Sequence, residues 1–571
     1  MSSAEVYRDH SSTWLDMPRH RLRRRFAFGV VATCVAVALV GSSCSKKQTA
    51  PSSAGTPDTE ARTESNNKYI AGPKDAANPE RGGKIVFAIE ADPEGLDPTR
   101  YAFAVSGHFI ASAFYDPLAT LDKDGQVMPY LAESITESNG NRTWTITLRE
   151  GVTFHNGKPV DAEAVKANFE AHRKSYVTQL AMKPVLTIEK TGDRTLVVTL
   201  DRPWSGFGTV LLSQLGYVME PSMLDDPSLA TRPIGSGPFL YDSRRPGQSW
   251  VLVKNPNYWR KDDKGNPLPY LDSIEFRIVT SSAQRLSMLE RGDVDMIHTN
   301  HPDEVLALKA SNFKRVDYAD GEKDFLILNT EKPPFNNLKA RQALAYATNA
   351  EGWRTQVMKG VEQPSNGPFN PGQLGYLEDN GFPTFDLANA KQLVKEYEAE
   401  TGQPFEFQFI MVEDAVGWAQ YLKDFYDQAG MKVAIQTLPQ LQLVAQTATG
   451  NYQLGLFRNF GFHNPDTDAV FWRASSVLPP PNVSLNFPRI SDPRIDQIID
   501  RAIAATSDAE RHAAYQELSK LFAEQLPYVW LGRPNWILAA SPSVNGFYEA
   551  ANGSIQNLGG KTWIAGLWVK R

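Results

Sequence analysis

Apolar residues recur along this chain at two periods, and stretches of each kind alternate. Lys84-Ile85-Val86-Phe87-Ala88-Ile89 is rich in β-branched and aromatic residues, is bounded by Gly82-Gly83 and Asp92-Pro93, and reads as a strand. Thr143 to Leu148 (TWTITL) alternates apolar and polar, as a half-buried strand does. The Glu150-Gly151 turn leads to a further short strand, Val152-Thr153-Phe154, closed by Asn156-Gly157. Asp161 opens a helix, because its side chain can cap free amides and Glu163 suits the positive end of the helix dipole. Strands follow at Arg194–Leu200, Trp250–Lys254, Ile274–Val279 and Val294–Ile297, with a helix at Ser282–Leu289. Helices at Leu338–Thr348, Trp418–Ala429, Asp492–Ala505 and Ala509–Gln525 dominate the second half. Strands alternating with helices predict an α/β architecture.

The N-terminus is patterned differently. Arg19, Arg21, Arg23, Arg24 and Arg25 precede fifteen uncharged residues, Phe26 to Val40, which end four residues before Cys44. A basic flank, a short apolar core and the small residues Gly41, Ser42 and Ser43 read as a secretory signal. The run falls short of the roughly 20 residues that a spanning helix needs, although an anchor remains the alternative. Small residues before a cysteine resemble a bacterial lipoprotein signal, with Gly41 where that family usually has Leu. The resemblance implies lipidation of Cys44 and a mature protein that starts there. Arg23-Arg24-Arg25-Phe26 also resembles the twin-arginine export pattern.

Composition narrows the class. The chain has 571 residues, a formal net charge of −6 and two cysteines. Removing residues 1–43 takes away six arginines and three acids and leaves −9. An acidic mature surface argues against nucleic acid as a partner. Cys34 would leave with the signal, so no intramolecular disulfide can form and stability must come from core burial. A chain this long needs two or three cores. Ser45 to about Gly82 is rich in Ser, Thr, Pro, Ala, Asn and Lys and reads as a flexible tether, with an end-to-end reach of about 35 Å.

Catalytic constellations are thin. The chain has no G-x-S-x-G, no G-x-x-x-x-G-K, no H-E-x-x-H and no C-x-x-C. His298 and His301 are three apart, a spacing that suits a metal only on a helix, and the segment reads as strand entering a loop.

The string LAESITESNGNRTWTITLREGVTFHNGKPVDAEAVKANFE, Leu131 to Glu170, resembles the signature of solute-binding proteins of the peptide and nickel ABC-transporter class. Five further blocks match in order: PIGSGPFLY (Pro233–Tyr241), LVKNPNYW (Leu252–Trp259), RLSMLERGDVDM (Arg285–Met296), FLILNTEKPPFNNLKARQALAYA (Phe325–Ala347) and NGPFNPG (Asn366–Gly372). Gly235 and Gly237 suit a tight passage where the chain crosses between lobes. Tyr258 and Trp259 read as core, and Arg341 as half of a structural ion pair. The resemblance implies a periplasmic-binding-protein-like clamshell: two α/β lobes joined by two hinge strands, with a subdomain inserted in the first. Residues 1–43 would be signal peptide and 44–82 the lipidated Cys44 and disordered tether. Lobe one would comprise 83–115, 225–320 and 538–571, the inserted subdomain 116–224, and lobe two 321–537.

In this family the ligand's amine is usually held by an aspartate in a loop resembling G-W-x-x-D-x-x-D-P. Aligning Asn464-Pro465-Asp466 on that loop puts Gly461 at the aspartate and Arg458 at the tryptophan. A buried ammonium without a carboxylate costs several kcal/mol, which argues against free-amine peptides. Arg458 suggests an anionic or polyhydroxylated group instead, and Phe457, Phe460 and Phe462 offer stacking faces. Asp466 reads as a turn cap. The candidate ligand contacts are Tyr101, Asn366, Trp418, Arg458, Asn459, Phe460 and His463, each with a structural alternative. The expectation is a lipid-anchored, monomeric receptor on the outer face of the cytoplasmic membrane or in the periplasm. It would capture a peptide or peptide-sized solute and pass it to the permease subunits of an ABC importer, without cofactor, metal or catalysis. An oligosaccharide, glycoside or chelate as ligand is the alternative, with His463 the residue to test for nickel chelates. An exported hydrolase is the reading from another class.

Overall fold

Lys84–Ile89 is flanked on both sides by parallel strands, Ser273–Ile278 and Met296–Thr299, with Ile85 opposite Ile274 and Phe87 opposite both Phe276 and Met296. A strand buried on both faces must be apolar almost throughout, which is how this run reads. These three belong to a nine-stranded sheet. From one edge it runs Arg62–Glu64, Lys68–Ala71, Lys314–Tyr318, Trp536–Ala540, Met296–Thr299, Lys84–Ile89, Ser273–Ile278, Ser249–Lys254 and Phe239–Arg245. One face packs Phe87, Phe109, Phe114, Trp250 and Phe276. The other packs Ala88, Ile297, Val305 and Ile537.

The computed structural model describes residues 62–570 except 65–67, 102, 123–125, 176, 213, 319–321, 460–463, 480–482 and 548–562. The chain divides into a unit Met1–Thr56, outside the described residues, and a unit Pro57–Arg571, to which everything below belongs. The export segment and Cys44 fall in the former.

A second sheet has five strands, in the order Lys432–Leu438, Glu406–Val412, Leu454–Asn459, Lys323–Leu328 and Tyr528–Gly532. Helices Leu338–Ala347, Leu387–Thr401 and Val416–Ala429 cover it around a core that includes Leu326, Phe335, Phe409 and Leu531. Two chain passages join the sheets, from Tyr318 to Lys323 and from Gly532 to Trp536. A four-stranded antiparallel sheet, Ala132–Ser138, Thr143–Leu148, Thr195–Leu200 and Val185–Lys190, lies within one long excursion of the chain. There Trp144, Ile146 and Leu148 point inward at period two, and Asp161 Oδ1 accepts from Ala164 N at 2.9 Å to start helix Ala162–Lys174.

Four details depart from the sequence reading. Val152–Phe154 makes only an isolated bridge, Thr153 to Pro159, between left-handed turns at Gly151 and Gly157. Lys68–Ala71, assigned to the tether, is a strand paired with Lys314–Tyr318. Behind it, buried Lys314 donates to Asp75 Oδ1 and Val544 O at 2.6 Å and to Asn545 Oδ1 at 3.1 Å. Gly235 and Gly237 are not at a lobe crossing: they press on the backbone of Phe114, where a Cβ on Gly237 would come within 2.6 Å of the Phe114 carbonyl carbon. Arg341 is structural but caps carbonyls of Gln525 (2.7 Å) and Phe335 (2.8 Å) rather than a carboxylate, and burial lowers its pKa to about 10.

Candidate functional site

In open α/β sheets, ligands settle beyond the carboxyl ends of parallel strands, where backbone direction leaves loops free to diverge. In the nine-stranded sheet that edge carries Glu90, just past Lys84–Ile89, and Asn300, just past Met296–Thr299. Trp536 starts the antiparallel neighbour and so lies at the same edge, with Ile537 opposite Thr299 and Trp536 opposite Tyr318. In the five-stranded sheet, Glu406–Val412 runs parallel to Leu454–Asn459. Arg458 stands near the carboxyl end of the latter, opposite Asp324, which in turn is opposite Gly532. Both chain passages leave from these two edges, so the edges share one hinge.

The side chains there form a continuous polar cluster. Arg458 donates to both oxygens of Asp324, Nε to Oδ1 and Nη2 to Oδ2, each at 2.7 Å. The Asn300 amide, with its oxygen toward the guanidinium, accepts from Arg458 Nη2 at 3.0 Å. Arg458 Cζ also lies 5.5 Å from the Trp536 ring centre. On that indole His298 stacks at 4.3 Å and an interplanar angle of 4°, and the indole Nε1 donates to Glu322 Oε2 at 3.1 Å. His298 Nδ1 lies 3.3 Å from Glu90 Oε1. The cluster thus runs from one sheet edge to the other across the hinge.

Its charge is lopsided. Glu322, Asp324 and Glu362 stand around Arg458, Glu90 sits with His298 and Arg285, and Arg354 neighbours Glu362. Burial raises the Glu322 carboxyl, and Arg458 only partly offsets that. Glu362 is raised well above the carboxylate range, first by burial and then by the adjacent Asp324 charge. Glu90 goes the other way: burial pushes it up, but His298 and Arg285 outweigh burial and leave it lowered. Glu362 follows Val361, which packs among residues of the nine-stranded sheet such as Ile297 and Ile537. Its carboxylate lies over Gly532 so closely that any Cβ there would overlap Glu362 Oε2. Glu362 is 5% exposed, no donor of the chain reaches its oxygens, and the side chain within hydrogen-bond reach is Asp324, another acid, with which it can bond only through a shared proton.

The expected contact residues scatter. Tyr101 is half-buried, with its ring against Gly95 and its carbonyl accepting from Gln214 Nε2 at 2.8 Å. Asn366 clasps a loop, donating to the carbonyls of Leu377 (3.1 Å) and Glu378 (2.7 Å). Trp418 packs edge-on to Trp353 at 6.1 Å, against the lobe-two core. Arg458 alone joins the hinge cluster, and there Asp324 and Asn300 occupy its donors, so it is not a bare cation awaiting an anion. Phe457 packs on Phe487 at 5.4 Å. Phe460, Gly461, Phe462 and His463 lie outside the described residues, as does the Asn459 side chain. Asp466 is no turn cap. Asn464 fills that role, accepting from Asp466 N at 3.0 Å. Asp466 itself accepts from Tyr515 Oη (2.5 Å), Arg511 Nη2 (3.1 Å) and Trp204 Nε1 (3.1 Å), the last from the excursion that carries the four-stranded sheet. Among the described residues no group of three His, Cys, Asp or Glu is placed to hold a metal ion. His298 pairs with Glu90, and His301 Nδ1 lies 3.9 Å from Glu304.

Glu90, Glu322, Asp324, Glu362 and Trp536 were missed. The available signal was acids immediately before or after apolar strands, as in Ala88-Ile89-Glu90 and Lys323-Asp324-Phe325-Leu326.

Bacterial extracellular solute-binding proteins, family 5 (middle), match this chain over residues 126–478. The probable D,D-dipeptide-binding periplasmic protein DdpA of Escherichia coli K12 is 27% identical over 483 residues, 81% of this chain and 91% of that one. The glutathione-binding protein GsiB of Salmonella paratyphi A is 27% identical over 482 residues, with the same coverage. Among solved structures, AgaA of A. tumefaciens R10 with agropinic acid superposes with a TM-score of 0.76 at 22% identity, over 86% of this chain and 99% of that one. The oligopeptide-binding protein AppA of Bacillus subtilis with a nonapeptide gives 0.75 at 21%, over 86% and 100%. These last two likenesses establish the two-lobe periplasmic-binding-protein fold.

Proposed function

Because this chain belongs to the bacterial extracellular solute-binding proteins of family 5, we propose that it captures a peptide or peptide-sized solute between its lobes and hands it to the permease of an ABC importer. The observation that carries this reading is the buried polar cluster shared by two facing sheet edges at a double chain crossing. Burying that many acids and bases costs stability, and a cleft that closes on a ligand gives a reason to retain them. The first lobe takes 62–115, 225–320 and 536–571 and the second 321–535, with 116–224 inserted, because Lys68–Ala71 and Trp536–Ala540 are strands of the nine-stranded sheet. Cys44 carries the lipid that keeps the receptor at the membrane, and the protein works as a monomer.

Capture without turnover is differential affinity for the open and closed arrangements. A small solute of another class remains the second reading, and AgaA with agropinic acid is the specific observation that favours it. Thermal-shift titration of the full chain in detergent with peptide, oligosaccharide and metal-chelate pools tests the proposal, since a ligand that binds only the folded state raises its stability by mass action. A saturable rise with one pool supports it, and the pool decides between the readings. Steady conversion of any pool component into product would refute it.

A further inference from the structure

We propose that Glu362, with Asp324 beside it, seats an ammonium group of the captured solute at the hinge. This rests on the solute-capture reading above and adds the ligand's charge and its point of attachment. The sequence argument against free-amine ligands was that Gly461 leaves the usual anchoring position without a carboxylate. The structure supplies carboxylates from other elements, at the crossing itself.

The two oxygens of Glu362 are buried and receive no donor from the chain, and their side-chain neighbour is Asp324, a second acid. A buried acceptor left unpaired costs about 1–3 kcal/mol, and more if it is charged. The charged side chains that act on it are Asp324, Arg458 and Arg354. Asp324, from the Lys323–Leu328 strand, gives both oxygens to Arg458 of the Leu454–Asn459 strand. Arg354, in the wide turn Trp353–Val357, donates Nη1 to Leu531 O at 2.9 Å and lies near enough to lower Glu362 only in part. Glu322 adds further negative charge to Arg458's surroundings. Gly532 offers only backbone. What Glu362 itself lacks is a donor carrying positive charge. An ammonium has three donors and no acceptor, so it meets Glu362 oxygens without the multi-ligand shell that a metal ion demands.

Without ligand, burial and the Asp324 charge raise the Glu362 carboxyl and favour a proton shared between the two acids. An arriving ammonium replaces it. Binding of the ammonium therefore displaces that proton, and proton release on binding is something a merely structural acid would not show.

The test uses the full chain in detergent, a peptic digest of casein, and the same digest acetylated at its amines. Isothermal titration in two buffers of different ionisation enthalpy reads both affinity and proton release. The expected result is saturable binding of the free-amine digest with proton release, and at least tenfold weaker binding of the acetylated digest. E362Q mimics the protonated acid and so should fold, yet should lose that preference and the proton release. Equal binding of both digests, or undiminished amine preference in E362Q, would overturn the proposal. Binding of a neutral oligosaccharide pool but of neither digest would overturn it while leaving solute capture intact. Silence from all three pools would count against both.

Discussion

Trp204 offers a direct handle on closure. Its indole is buried at the end of the excursion that carries the four-stranded sheet, yet it donates to Asp466 Oδ2, at 3.1 Å, on a helix of the five-stranded body. Gly206 presses on the same loop, where a Cβ would overlap the side chains of Asp466 and Asn464. Arg202 reaches Asp500 at 3.1 Å, but both partners are more than a third exposed and add little. Asp466 is otherwise satisfied from its own side by Arg511 and Tyr515. The Trp204 bond exists only when the two bodies touch, whereas the Tyr515 bond exists whether they touch or not. Trp204→Phe keeps most of the ring and removes a hydrogen bond to a charged acceptor, a loss of about 2 kcal/mol. At 1.4 kcal/mol per decade this lowers the closed-to-open ratio roughly 30-fold. Tyr515→Phe should instead lower stability toward urea and leave that ratio unchanged. Double electron–electron resonance between spin labels at exposed Glu163 and Lys520 reads the distance distribution. Trp204→Phe and Gly206→Ala should shift weight to longer distances, and Tyr515→Phe should not. An unchanged distribution in Trp204→Phe, or equal opening by Tyr515→Phe, would refute the reasoning.

Three further outcomes follow from the same contacts. Gly532→Ala places a methyl against Glu362 Oε2 and 3.3 Å from Arg354 Cδ; ligand affinity should drop at least tenfold while adding Glu362→Ala, which removes the overlapping carboxyl, partly restores the melting temperature. Glu322 and Glu362 have raised carboxyl pKa values, so between the ordinary carboxylate pKa and the raised one the folded chain binds more protons than the unfolded. Their effect on stability therefore worsens as pH rises through that window, and the melting-temperature advantage of Glu362→Gln over the parent should grow from pH 4.5 to pH 8. Lys314→Met removes the cation that ties Asp75, Val544 and Asn545 together; it should cost about 3 kcal/mol in urea unfolding and speed proteolysis between residues 68 and 82.

Much of the scaffold was legible because burial on both faces writes a continuous apolar run, as in Lys84–Ile89, and burial on one face writes alternation, as in Thr143–Leu148. Caps such as Asp161 are local and showed equally well. Lys68–Ala71 was not legible: a four-residue strand one in from the sheet's edge takes its stability from Lys314–Tyr318, some 245 residues on, and polar composition alone hides that. The site was harder still. Tyr101, Asn366 and Trp418 were placed by family position, and their side chains serve local loops and cores. Arg458 stands out in the sequence, but its partner Asp324 is 134 residues away, and only the antiparallel register of two strands brings them together. Asp466 looked like a cap because Asn464, two residues before it, performs the capping and frees it for Trp204.

The central claim is that the lobes close on one solute and release it unchanged. Native mass spectrometry of the full chain, incubated with the mixed peptide and oligosaccharide pools and sampled over hours, tests this most directly. One bound solute per chain, with every pool component retaining its mass, is the predicted spectrum. A growing product peak at the expense of a pool component, or two or more solutes bound per chain, would contradict it.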